Sequence, residues 1–209
     1  MLQIAKRISF SLIIILLSTV HISLNKNRGY ANDVGISIDK FLPFYEAFVL
    51  PYLFWFLYMV SGIIFLAIYD SKLYFKLVAC ISIGMSICFV VFYFFPTTVP
   101  RPEVIGGGVL NDLVRMVYSH DNPFNCFPSI HVLNTLLLTF FLCKFEKGGF
   151  GLKTYAVLSY VLITLSTFFI KQHYVLDAVA ATLLAVIIYG ISCIDFTKKA
   201  TVGANPAVA

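Results

Sequence analysis

Two histidines and an aspartate are the residues of this chain best suited to chemistry. His173 and Asp177 are four residues apart, so on a helix both side chains lie on one face and can touch. Such a pair at the start of an apolar stretch either marks a site or locks two helices together. His131 ends the run Asn125-Cys126-Phe127-Pro128-Ser129-Ile130-His131, where a polar loop gives way to an apolar segment. Pro128 suits the first positions of a helix, because its fixed φ is helical and its missing N–H is no loss there. Ser129 is then a cap or first-turn residue, and the free N–H groups of residues 129–131, with the helix dipole behind them, face an anion. Phosphate is a natural occupant. An imidazole one turn in, with its ordinary pKa of ~6.5, can exchange a proton with a phosphate oxygen.

Those residues need apolar elements to hold them. The 209 residues are 60% hydrophobic, 16% aromatic and only 12% charged. With a mean hydropathy of +0.91, this composition excludes an ordinary soluble domain. Apolar runs at 8–24, 48–69, 73–95, 128–143, 152–170 and 174–194 come near the ~20 residues that cross a bilayer core. The predicted fold is all-α: a polytopic membrane protein of six transmembrane helices, one domain over residues 1–199. The segment 200–209 is small and neutral and reads as a disordered tail.

The first run is expected to be a retained span and not a cleaved signal, because Lys26 and Arg28 follow it directly. His21 within it reads as a packed or interfacial histidine. Residues 25–47 suit a loop or short helix in the membrane interface, and Pro43 and Pro51 bracket its entry into the second span. Tyr52, Phe54, Trp55, Phe56 and Tyr58 read as a lipid-facing aromatic belt. The loop 96–127 begins with three prolines around Arg101 and carries Gly106-Gly107-Gly108, with Arg115 and His120 as solvated residues or headgroup contacts. The five cysteines form no CxxC pair and read as packing residues.

Alternating the spans gives one face nine basic residues, Lys6, Arg7, Lys72, Lys76, Lys144, Lys147, Lys153, Lys198 and Lys199, against three acidic ones. The other face has six basic and seven acidic residues. The positive-inside rule makes the nine-residue face cytoplasmic, with both termini inside and loops 25–47, 96–127 and 171–173 outside. The net charge of +5 is spread over short loops and not clustered, so no nucleic-acid partner is expected.

Pro100-Arg101-Pro102, Pro128-Ser129-Ile130-His131, and Ser166 with His173 and Asp177 together resemble the type 2 phosphatidic acid phosphatase (PAP2) superfamily. Its signature reads Lys-x6-Arg-Pro, Pro-Ser-Gly-His and Ser-Arg-x5-His-x3-Asp, and the likeness covers roughly residues 50–195, the expected catalytic core. The resemblance implies His173 as nucleophile, Asp177 as its orienting carboxylate and His131 as the acid for the leaving oxygen. It makes Arg101, Ser129 and the amides at Ile130 the phosphate ligands. The family Lys falls on Phe94 and the family Arg on Thr167, and Lys171 is the residue that could restore one of those charges. Such variants resemble the branch with inositol phosphorylceramide synthases and bacterial relatives.

The expected function is therefore a lipid phosphatase of a bacterial plasma membrane, with its site on the extracytoplasmic side. Its partners would be a lipid phosphate substrate and membrane lipids, and neither cofactor nor metal is expected. Transfer of the phosphoryl group to an alcohol needs nearly the same residues. A two-histidine, one-carboxylate metal site and a transporter are readings from other classes.

Overall fold

The structure is a computed structural model that describes Ile4, Arg7 and residues 9–194, so the tail 200–209 lies outside the described residues. Regular structure there is helical apart from two isolated β-bridges. The helices are α1 (Leu12–Leu24), α2 (Val49–Tyr69), α3 (Ser71–Phe94), α4 (Val109–His120), α5 (Ile130–Lys144), α6 (Gly149–Phe169) and α7 (Val175–Cys193). Only Asp70 separates α2 from α3, and its side chain caps α3 by accepting from Leu73 N at 3.0 Å.

Helix α5 is the axis of the bundle, buried over most of its length and packed on α2, α3, α6 and α7. Gly62 and Gly84 allow the approach of two neighbours. A Cβ at Gly62 would sit 2.6 Å from Leu138 Cδ2, and one at Gly84 would sit 2.9 Å from Leu133 Cδ2. Close backbone approach of this kind replaces the hydrophobic driving force that lipid does not supply. The Tyr58 hydroxyl and Thr139 Oγ1, 2.8 Å apart, add a buried polar tie, typically worth ~1 kcal/mol between membrane helices.

Of the six expected spans, four among the described residues are long and apolar enough to cross a membrane: Glu46–Tyr69, Ser71–Phe94, Glu146–Phe169 and Val175–Cys193. Helices α1 and α5, at 13 and 15 residues, fall short of the expected length. For α5 the reason is local, since the Ser129 cap and Phe145 set its ends and four helices enclose it. A helix sheathed in protein does not have to match the bilayer. Exposed Leu57, Val90, Leu162 and Leu183 give the outer surface an apolar face that a bilayer would cover. This is a membrane protein.

Helix α1 runs parallel to α3, with Ser11 Oγ 2.8 Å from the Tyr74 hydroxyl near one end and His21 against Phe89 and Phe92 near the other. The loops 25–47, 96–127 and 171–173 meet at one end of the bundle. Asn32 pairs with Thr97, Thr98 pairs with Phe124, and Tyr45 N donates to Phe169 O at 3.0 Å. The loop 96–127 is not all loop, because an amphipathic helix, α4, lies within it. Val114 and Val117 of α4 pack with Val49, Tyr52 and Ile170.

Candidate active site

The start of α5 is built by the loop around it. Thr97 is fully buried, and its Oγ1 accepts from both Cys126 N and Phe127 N at 3.0 Å. Asn125, in the left-handed region at φ 55, donates from Nδ2 to Leu24 O at 2.6 Å. Pro128 follows a cis bond and precedes the cap instead of opening the helix. The cap is Ser129, fully buried, whose Oγ accepts from Val132 N at 3.3 Å. Its own N–H is not free for an anion, since it donates to Asp177 O at 3.2 Å. The N–H groups of Ile130 and His131 have no acceptor among the described residues.

His173 does not lie on a helix face, as its spacing from Asp177 suggests. It sits in the turn before α7, and Asp177 reaches back from the first turn of that helix. Asp177 Oδ2 accepts from His173 Nδ1 at 3.2 Å and from Tyr174 N at 2.9 Å. Asp177 is fully buried, and the His173 side chain is 9% exposed. A carboxylate acceptor puts the ring proton on Nδ1 and leaves Nε2 with its lone pair. The His131 and His173 ring centroids are 5.8 Å apart.

Arg101 reaches the same place from the proline-rich loop. Nη2 donates to Gln172 Oε1 at 2.6 Å, while Nη1 donates to Asp121 O at 2.5 Å and Tyr118 O at 3.3 Å. The guanidinium also stacks over the Tyr118 ring, 4.6 Å from its centroid. It has no carboxylate within ion-pair distance among the described residues, and its buried Nε has no acceptor. The Tyr118 hydroxyl donates to Ile170 O at 2.7 Å, and burial pushes it up to about 12, against the opposing pull of Arg101.

The predicted residues thus converge, with one exception. Arg101, Ser129, Ile130, His131, His173 and Asp177 share one corner of the bundle. Lys171 is next to them in sequence but turned away. Its φ of 54 places it in the left-handed position that ends α6, where Gln172 N donates to Thr167 O and Lys171 N to Phe168 O. Its ammonium donates to Leu42 O at 2.5 Å and faces Asp39, and burial lowers its pKa.

Several neighbours of the site left little trace in the sequence. Tyr52 and Trp55 do not face lipid as a belt would, because their rings lie 4.9 and 4.5 Å from that of His131. Phe56 and Leu57 keep the lipid face. Gln172 and Asp121 hold Arg101, and only the adjacency of Gln172 to His173 could have pointed to it. His21 lies within electrostatic reach of His173 and Asp121. Among the described residues no three His, Cys, Asp or Glu side chains are grouped to hold a metal ion.

The model of the PAP2 superfamily matches residues 44–191, well over half of the chain. The chain belongs to the PAP2 superfamily. Comparison with curated proteins finds no match, and comparison with solved structures finds none. Membership of the PAP2 superfamily points to phosphatase-type activity. The matched region contains α2 to α7 in large part and omits α1 and residues 25–43. Phe94, where the PAP2 signature has lysine, is 77% exposed, and Thr167, where it has arginine, is buried and donates from Oγ1 to Thr164 O at 2.7 Å.

Proposed function

We propose that this chain is a membrane lipid phosphatase that removes a phosphomonoester or diphosphate headgroup through a phosphohistidine on His173. The observation that carries the reading is the pairing of His173 Nδ1 with buried Asp177 beside a second imidazole, His131. The Nε2 lone pair of His173 attacks phosphorus, and the bond from phosphorus to the leaving oxygen breaks as protonated His131 gives that oxygen its proton. Water then attacks the phosphohistidine, His131 takes a proton from it, and the N–P bond breaks to release inorganic phosphate.

Charge on the equatorial oxygens would be met by the amides of Ile130 and His131, the dipole of α5 and the unused N–H groups of Arg101. Lys171, as placed, serves the end of α6 and not this cluster. The substrate class is a lipid phosphate such as a diacylglycerol phosphate, a phosphatidylglycerophosphate or a polyprenyl diphosphate. The described members of the basic set, Arg7, Lys72, Lys76, Lys144, Lys147 and Lys153, belong to the end opposite the site. There Arg7 bonds Ala67 O and Lys76 bonds Ser192 O. That distribution supports an extracytoplasmic site and cytoplasmic termini.

The test is phosphate release by the purified chain in detergent micelles over a panel of these three lipids, with and without EDTA. Release that survives EDTA, with an acid-labile label on the wild type that H173A lacks, is the expected result. Silence on all three lipids, or full activity in H173A, overturns the reading. A new labelled lipid that forms only when an alcohol is added would assign the chain to phosphotransfer instead.

A further inference from the structure

We infer that Asp39 is a positioning residue for the proposed nucleophile, acting through the turn that carries His173; this rests on the phosphohistidine reading above. Asp39 precedes the family-matched region and belongs to the interfacial loop before α2. It is 8% exposed, unusual for a carboxylate in a loop, and both of its oxygens are used. Oδ2 accepts from Ile36 N at 2.8 Å, which closes a turn within its own loop. Oδ1 accepts from Val175 N at 2.9 Å, across to the first residue of α7.

The arrangement divides the amides of that turn between two carboxylates. Asp177 Oδ2 takes Tyr174 N and His173 Nδ1, and Asp39 takes the next amide along. Without Asp39 the Val175 N–H would be an orphan donor at a helix start, free to compete with His173 for Asp177. The negative charge also lies at the positive end of the α7 dipole, where it is favoured.

Three further contacts fasten the same loop on either side of His173. A Cβ at Gly35 would lie 2.8 Å from Tyr174 Cζ, so Gly35 lets the loop sit directly on that ring. Leu42 O accepts from Lys171, two residues before His173. Tyr45 N donates to Phe169 O. Residues 33–45 therefore form a strap over residues 169–175, with Asp39 as the contact at the helix start. A strap of this kind sets the direction of His173 Nε2, and displacing a reacting group by about 1 Å costs on the order of 100-fold in rate.

The experiment compares D39A, D39N and G35A with wild type in the full chain, using phosphate release from a diacylglycerol phosphate and the single-turnover rate of His173 labelling. D39A is expected to lower kcat and labelling roughly 10- to 100-fold while KM stays within about 3-fold. D39N can keep an oxygen acceptor for Val175 N but turns its NH2 group toward Ile36 N–H, so it is expected to recover part of the loss and fall between D39A and wild type. G35A, which crowds the strap against the Tyr174 ring and Asp33 without touching Asp39, is expected to lower kcat in the same direction, and D39N carries the test if D39A does not fold. Wild-type kcat in a folded D39A, or equal losses in D39A and D39N, overturns the inference. With H173A as control the two failures separate: an active H173A removes the phosphohistidine reading, while a dead H173A beside unimpaired D39A and G35A removes only the role of Asp39.

Discussion

The backbone N–H of Ser129 donates to the backbone carbonyl of Asp177 at 3.2 Å, and this bond makes one corner out of two distant pieces of chain. Ser129 caps the helix whose first two amides have no acceptor among the described residues, and Asp177 accepts from the imidazole proposed to attack phosphorus. Neither side chain is involved in the bond. Substitutions at either residue leave this backbone bond available, although they remove the Ser129 cap or the Asp177 bonds to Tyr174 N and His173.

His173→Ala should abolish both turnover and labelling, because nothing else at the corner presents an unprotonated imidazole nitrogen backed by a carboxylate. His131→Ala should slow turnover by roughly 100- to 10,000-fold with a poor leaving group, as loss of a general acid does. With an activated aryl phosphate the label on His173 should still form. Quench-flow labelling checks this, and an equal loss of label in both variants would contradict the division of roles.

Arg101 is held by three oxygens yet has no carboxylate partner among the described residues, so its charge is available to a phosphate. Arg101→Ala should cost ~2 to 4 kcal/mol of transition-state stabilisation, a fall of roughly 30- to 1,000-fold in kcat/KM. Arg101→Lys should recover little, since an ammonium cannot span Gln172, Asp121 and Tyr118 at once. Inhibition by inorganic phosphate should weaken in parallel. A lysine variant with wild-type kcat/KM would show that the fork geometry is immaterial.

Lys171 separates a charge role from a backbone role. Glycine at its left-handed position removes the ammonium while relieving a backbone cost of roughly 1 kcal/mol. Lys171→Gly should therefore keep activity within about 10-fold of wild type and change stability little, since the relieved backbone offsets the lost bond to Leu42 O. Thermal unfolding and steady-state kinetics on the one variant suffice. A loss of 30-fold or more accompanied by weaker inhibition by inorganic phosphate would place the ammonium on the phosphate after all, whereas the same loss with unchanged phosphate inhibition belongs to the strap contact with Leu42.

Tyr118 supplies a pH dependence. Its folded-state pKa of about 12 lies above the ordinary 10.0, so the neutral hydroxyl is favoured by the fold. A group with a raised folded pKa contributes stability that is complete below its unfolded value. Here that contribution is present below pH 10.0 and is lost as pH rises through about 12. Tyr118→Phe should thus be less stable than wild type near neutrality, where it lacks the bond to Ile170 O, and the gap should narrow across that alkaline window. Thermal melts from pH 8 to pH 12 in detergent report it, and a gap that widens would contradict the assignment.

What the sequence determined by itself was the local chemistry and the class of fold. Apolar runs near bilayer length, without the alternation of a barrel strand, read as membrane helices, and the residues at 101, 129, 131, 173 and 177 are the ones on which the resemblance to the PAP2 signature rests. Whether α5 reaches the length of a span depended on its Ser129 cap and on enclosure by four neighbouring helices, which hydropathy does not encode. The lipid-belt reading of Tyr52 and Trp55 failed for a similar reason: an aromatic is equally at home against a lipid tail or a buried imidazole, and only packing chooses. Lys171 looked like a spare cation in one dimension, but its backbone was needed to end α6, and that decided where its side chain could point. Asp39 has no motif at all. Its carboxylate matters because the tertiary structure folds a loop from before the family core onto the first amide of α7, where an unpaired donor would otherwise remain.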